Sequence, residues 1–173
     1  MQKKVNDLCE TDKKMAAVCG LYCEGCLWFI STTEAPERLK KLAARLNWSE
    51  EESKCYGCRS GKRLPYCGKC KMSACAADRG IDFCSECEAY PCHDLKQFQS
   101  EMPHRIELWD NLERIKCVGY KQWLREIRGH YTCPRCGTIN STYDLKCRKC
   151  DEEPSCNYVD KHRQEIEQYL KNR

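Results

Sequence analysis

Six Cys-x-x-Cys pairs, at 23/26, 55/58, 67/70, 84/87, 133/136 and 147/150, take up twelve of the 18 cysteines in this 173-residue chain. Two sulfurs of one tight turn reach the same ion, so a metal rewards this spacing. A disulfide scaffold has no reason to repeat it. The rest of the composition makes the staple necessary. Mean hydropathy is −0.78, 32% of residues are charged, and only three are Phe. Such a thin apolar core calls for disulfides or metal. The opening MQKKVNDLCETDKKMAAV lacks the apolar stretch of an export signal. No run of about 18 apolar residues is present to span a bilayer. The expectation is therefore a cytoplasmic protein with reduced thiols, metal ligands and no membrane partner.

The C-terminal set is the most specific. Cys133-Pro-Arg-Cys136 is followed by Gly137 and, after ten residues in all, by Cys147-Arg-Lys-Cys150. This is the spacing of a zinc ribbon: two knuckles, four thiolates, a filled tetrahedral shell and a structural role.

The central set is equally cysteine-rich but leaves its pairing open. Cys67-Gly-Lys-Cys70 with Cys75, and Cys84-Ser-Glu-Cys87 with Cys92, repeat the form CxxC-x4-C at an offset of 17. Cys55 and Cys58 precede them, making eight ligands. They can fill two sites sequentially or interleave. Cys19, Cys23 and Cys26 form a CxxxCxxC cluster and bring the total to eleven, one short of three full sites. His93, Cys9 and Cys117 are the candidates for a twelfth ligand. CxxxCxxC is also the spacing of radical-SAM enzymes, but the chain has no βα repeats from which to build their barrel. Three to four Zn2+ ions are expected overall. An iron–sulfur cluster in the N-terminal domain is the alternative, since clusters are also held by four cysteines.

Charge is segmented. Residues 54–73 carry six Lys/Arg and no acid. Lys62 and Arg63 are candidate nucleic-acid contacts, with Tyr56 and Tyr66 placed to stack on bases. The plainer reading is that such cations offset the negative charge of zinc–thiolate centres, as Arg135, Arg148 and Lys149 would at the ribbon. No Ser/His/Asp set, phosphate loop or carboxylate pair is legible, so an enzyme is not the leading expectation.

The fold expected is small α+β and metal-dominated: irregular cysteine loops and short strands, several helices and the ribbon. Leu39, Leu42, Ala43 and Leu46 recur at helical spacing and predict a helix over 36–47, started by Thr32/Thr33 and Pro36. Ser49 and Glu52 have capping-box spacing. No helical period is visible from Cys55 to Cys92. It returns over about 93–129 and breaks at Gly119. The division expected is 1–130, a cysteine-rich domain; 131–151, the ribbon; and 152–173, a linker and tail helix.

Cys19-Gly-Leu-Tyr-Cys23-Glu-Gly-Cys26, Cys55-Tyr-Gly-Cys58 and Gly80-Ile-Asp-Phe-Cys84-Ser-Glu-Cys87 through Pro91-Cys92 together resemble domain of unknown function family 3795. These are small cysteine-rich prokaryotic proteins, and the ribbon resembles that of the longer members. The likeness spans roughly residues 15–160. It implies a metal-binding module and no established activity. Three readings follow: a structural zinc protein that presents a surface to a protein partner or nucleic acid, an iron–sulfur or thiol redox protein, and an enzyme with one open metal position.

Overall fold

The computed structural model describes residues 13–172. Nine α-helices carry it, and the described residues contain no strand beyond two isolated bridges, Ala16 with Tyr22 and Thr132 with Ile139. This corrects the expected α+β class with short strands. The cysteine loops are closed instead by single backbone hydrogen bonds and by helix ends.

Two helices follow the first cysteine loop: α1 (Leu27–Thr33), with Cys26 at its N-cap position, and α2 (Pro36–Arg45), with Pro36 in its first turn. Thr32 and Thr33 do not start α2. They end α1, and their hydroxyls donate to the carbonyls of Trp28 (2.8 Å) and Phe29 (2.9 Å). Leu39 and Leu42 from α2 meet Trp28, Cys55 and Leu64 in a small core of their own. Ser49 and Glu52 form the expected capping box: the Glu52 carboxylate accepts from the Ser49 amide at 2.9 Å, and the Glu52 amide donates to Ser49 Oγ at 3.2 Å.

The cysteine-rich stretch is not all loop. It contains α3 (Pro65–Gly68) and α4 (Lys71–Arg79), the latter ended by Gly80 in the left-handed region. Met and Ala in KMSACAADR are good helix formers, and Met72 and Ala76, four apart, face the core.

The main core joins the 15–23 segment, Met72, Ala76 and Phe83 to the helices that follow. After α5 (His93–Ser100), helices α6 (Leu108–Val118) and α7 (Tyr120–Tyr131) pack as a hairpin across Gly119. Leu108, Leu112 and Ile115 face Trp123, Leu124 and Ile127, all in one buried cluster. The Trp123 indole N–H is satisfied by Asn111 Oδ1 at 3.2 Å. The tail is split into α8 (Asn157–Lys161) and α9 (Arg163–Lys171), and both belong to this core through Tyr158, Val159 and Ile166. Tyr158 stacks on Tyr131 at 5.0 Å and its hydroxyl donates to the Pro103 carbonyl at 2.6 Å. A buried carboxylate lies beneath. Glu107 accepts from His162 Nε2 at 2.9 Å and Lys161 Nζ at 2.7 Å, and His130 Nε2 lies 2.9 Å from its other oxygen. Burial opposes that charge, but the bonds from His130, Lys161 and His162 outweigh it and hold Glu107 down at about 2.

Candidate metal centres

The Cys133–Cys150 segment is built from two matched turns. In the first, Gly137 donates to the Cys133 carbonyl at 3.0 Å and the Cys133 amide donates to the Thr138 carbonyl at 2.8 Å. In the second, Asp151 donates to the Cys147 carbonyl at 3.0 Å and the Cys147 amide to the Glu152 carbonyl at 2.8 Å. The residue after each second cysteine turns left-handed: Gly137 at φ +73° and Asp151 at φ +59°. A glycine there was legible in the sequence. Asp151 was not, although Asp tolerates this region better than most residues.

The turns bring four sulfurs together. Cys133 Sγ lies 3.6 Å from Cys150 Sγ, and Cys136 Sγ lies 3.6 Å from Cys147 Sγ. All four fall within 4.8 Å of one another. A tetrahedron with metal–sulfur bonds of about 2.3 Å has edges of about 3.8 Å, so the set fits one ion. Its thiols are unequal without a cation. Cys136 is pulled down to about 6, chiefly by the Thr138 hydroxyl 3.3 Å away. Cys150 is pushed up to about 12, where burial and its thiol neighbours outweigh the pull of the Glu152 amide.

Asn140 organises the surroundings, and sequence reasoning missed it. It is fully buried. Its Nδ2 donates to the Ser155 carbonyl at 3.1 Å and reaches Cys147 Sγ at 3.6 Å, while its Oδ1 accepts the Arg148 amide at 3.0 Å. The Cys133–Cys150 segment is tied to the first helices by two ion pairs, Arg38 Nη2 to Asp144 Oδ1 at 2.6 Å and Arg148 to Glu34. Arg135 pairs with Glu152 at 3.4 Å. Two of the cations expected to offset the ribbon's charge are thus engaged by carboxylates.

The N-terminal cysteines are arranged differently. Cys19, Cys23, Cys26, Cys55, Cys58, Cys67 and Cys70 line one cavity of about 630 Å3. Its wall also includes Trp28, Leu64, Tyr66 and Met72 with Arg63, Asp94, Glu101 and Arg105, and Trp48 lies tilted between Trp28 (6.1 Å) and Tyr66 (5.8 Å). Cys26 and Cys70 reach it from the N-terminal ends of α1 and α4. The Cys55 amide donates to Thr32 Oγ1 at 2.9 Å. Gly57, at φ +104°, passes so close to the Lys14 carbonyl that a Cβ would meet its oxygen at 2.9 Å. That turn aims the Cys58 amide at Cys23 Sγ, 3.3 Å away.

These thiols neighbour one another both within their CxxC pairs and across the fold. Cys19 has Cys58, Cys84 and Cys70 as electrostatic neighbours. Cys26 has Cys55 and Cys58, and Cys67 is close to Cys58, Cys55 and Cys26 as well as to Cys70. Cys84 comes beside Cys19 because its amide donates to the Val18 carbonyl at 2.8 Å. Burial first, then the neighbouring thiols, push Cys26 and Cys84 up to about 12. Holding several thiolates in this space requires a cation. Cys75, Cys87 and Cys92 lie outside the cavity around Arg79. Cys67 has Cys58, Cys55 and Cys70 among its neighbours, and Cys84 has Cys92, Cys75 and Cys87, so both halves of the sequential grouping recur among the neighbours alongside contacts between them.

The remaining candidates separate from these sets. His93 is exposed and opens α5, and Cys117 is exposed on α6 beside Arg114. Cys9 lies outside the described residues. Lys62 pairs with Glu51 at 3.3 Å, and Arg63 donates to the Cys58 carbonyl and Ser73 Oγ at 3.2 Å each. All seventeen cysteines of the described residues are free of disulfides. Among those residues no helix is long and apolar enough to cross a membrane.

The family model described as "Protein of unknown function (DUF3795)" matches residues 15–97, the segment that holds the eleven N-terminal candidate ligands. The likeness read over 98–160, including the ribbon, falls outside that match. No curated protein and no solved structure matches the chain.

Proposed function

With residues 15–97 as a DUF3795 segment, we propose that this chain is a two-centre metal-binding protein that serves as a structural and interaction module in a reducing compartment such as the cytoplasm. Cys133, Cys136, Cys147 and Cys150 hold one structural Zn2+, and the N-terminal cysteines form a second, differently built centre. The observation that carries this reading is the set of four ribbon sulfurs, all within 4.8 Å of one another on two matched turns.

Zinc suits the ribbon because four thiolates in a closed tetrahedron leave no position for substrate, and zinc needs none in a structural site. Every protein residue near the ion then has a positioning task. Thr138 and Asn140 approach the sulfurs, and Arg148 closes the turn around Asn140 while pairing with Glu34.

A protein partner is favoured over nucleic acid. The basic run is largely engaged within the fold: Lys54 and Lys62 with Glu51, Arg59 with the Ala16 carbonyl, Arg63 with the Cys58 carbonyl. Among the described residues Leu46, Tyr56 and Tyr66 are the large apolar side chains left exposed, and they offer a contact surface of another kind.

The test is zinc content of the full chain and of Cys147→Ser. Wild type should hold zinc, and the variant should hold one ion fewer. Equal zinc in both would remove the ribbon assignment.

A further inference from the structure

Arg59 and Arg63 stand apart from the rest of the basic run. Among the described residues neither meets a carboxylate at hydrogen-bond distance. Arg59 is held by carbonyls: its Nε donates to Ala16 at 2.7 Å and its Nη2 to Asp82. Its guanidinium also lies over the Phe83 ring, 5.0 Å from the centroid. The Asp82 carboxylate stands 3.9 Å from Arg59 Nη1 and pairs instead with Lys13 Nζ at 2.5 Å. Arg63 spends both hydrogens of Nη1 on the Cys58 carbonyl and Ser73 Oγ, at 3.2 Å each. Its remaining donors, on Nε and Nη2, have no partner among the described residues. Neutral carbonyls thus fix both cations in place without cancelling their charge.

Both side chains line a cavity of about 250 Å3, which shares Cys58 and Arg63 with the larger cysteine cavity. One wall is the tight loop after Gly57, where the Ser60 hydroxyl lies 2.6 Å from the Lys62 carbonyl. The other is α4, on which Ser73, Ala76 and Ala77 share a face at helical spacing. The Ile81 amide donates back to the Ala76 carbonyl at 3.0 Å and closes that end. The small side chains of Ala76 and Ala77 leave the space open. Two guanidiniums and two hydroxyls enter its lining, and no carboxylate does.

These features select a ligand. The arginine fork matches the oxygens of phosphate and carboxylate. Two guanidiniums are better matched by a phosphate ester, with a charge of about −1.5 to −2 and three strong acceptor oxygens, than by a single carboxylate. The volume is several times a water's share of about 30 Å3, which leaves room for more than the phosphoryl group. Val18, Ala76 and Ile81 give that remainder an apolar wall.

We propose that this cavity binds the phosphate monoester of a small organic molecule, with Arg59, Arg63 and Ser73 on the phosphoryl oxygens. The site goes beyond the metal-binding reading and does not depend on which metal the cysteines hold. Both arginines also lie near the Cys58 thiol, and a role confined to offsetting thiolate charge predicts no ligand at all.

The experiment is calorimetric titration of phenyl phosphate into the full chain, carrying its metal as purified, in low-salt buffer free of phosphate. The expected result is saturable binding at one site, tighter than that of inorganic phosphate, with no binding of phenol. Arg63→Gln should weaken it by about 10–100-fold, the range for a hydrogen bond to a charged group. Ala77→Glu, at an exposed position of α4, adds a carboxylate to the wall and should weaken it as strongly. Lys116→Gln, on α6 outside the cavity, should change nothing. No saturable binding to wild type, or binding that both cavity variants retain, overturns the inference. Inorganic phosphate binding as tightly as the ester overturns the organic remainder, and a phosphoserine peptide binding more tightly overturns the small-molecule assignment. Metal content and circular dichroism report whether each variant folds, and if Arg63→Gln does not, Ala77→Glu decides.

Discussion

The Cys58 amide donates to the Cys23 sulfur at 3.3 Å, joining two cysteine motifs that lie 35 residues apart in the chain. The contact depends on Gly57, whose φ of +104° few side chains tolerate and whose Cα passes against the Lys14 carbonyl. Gly57→Ala is therefore expected to misplace Cys58. The backbone strain alone is worth about 1–3 kcal/mol. Metal bound by the N-terminal centre should fall while ribbon zinc stays unchanged, measured by elemental analysis and thermal unfolding of the full chain. Equal loss from both centres would contradict a local role for this turn.

Asn140 gives a prediction at the other centre. Three of its polar contacts serve the second cysteine turn, and two of them are buried. Asn140→Ala should weaken zinc binding by about 10–100-fold, the usual effect of losing a partner behind the ligands. Competition against a chelator of known affinity measures this. Unchanged affinity would reduce Asn140 to a packing residue.

Arg38 and Asp144 set how the ribbon sits on α2. Asp144 is 8% exposed and also accepts the Ser141 amide and hydroxyl at 2.8 Å each. Arg38→Ala leaves the carboxylate with only these local partners and should cost about 1–3 kcal/mol. Zinc content should not change. Amide exchange in 138–146 should rise relative to α6 and α7, and a uniform rise across the chain would argue against a docking role.

Glu107 makes stability depend on acid. Its folded value of about 2 lies below the ordinary carboxylate value, which is about 4.3. Its contribution is thus complete above pH about 4.3 and is lost as pH falls toward 2. Glu107→Gln removes the charge that His130, Lys161 and His162 share, and should destabilise by about 2–4 kcal/mol at neutral pH. The gap between variant and wild type, followed by denaturant unfolding, should narrow from pH 5 to pH 3. A constant gap would show that the charge is not what matters.

Much of this was legible from residues alone, for physical reasons. The Cys133–Cys150 spacing specifies its own geometry because both turns are local, and the structure brings those four sulfurs together. The Ser49/Glu52 box and α2 follow from short-range patterns. What sequence could not give is which distant thiols face each other. Spacing says that Cys67 and Cys70 share a turn, but α3 and α4 decide where each one points. The period that would have revealed α4 was hidden by the cysteine density, although its Ala-rich run before Gly80 was a signal. Glu107 lies at the start of α6 and its partners on α7 and the tail, so their meeting is a product of packing alone.

The account turns on two kinds of metal centre in one chain, and the ribbon is where its geometry is sharpest. X-ray absorption at the zinc edge of the full protein tests it most directly. The account predicts a single shell of four sulfurs at about 2.3 Å. A zinc signal with nitrogen or oxygen ligands, or with sulfur in fewer than four positions, would contradict it.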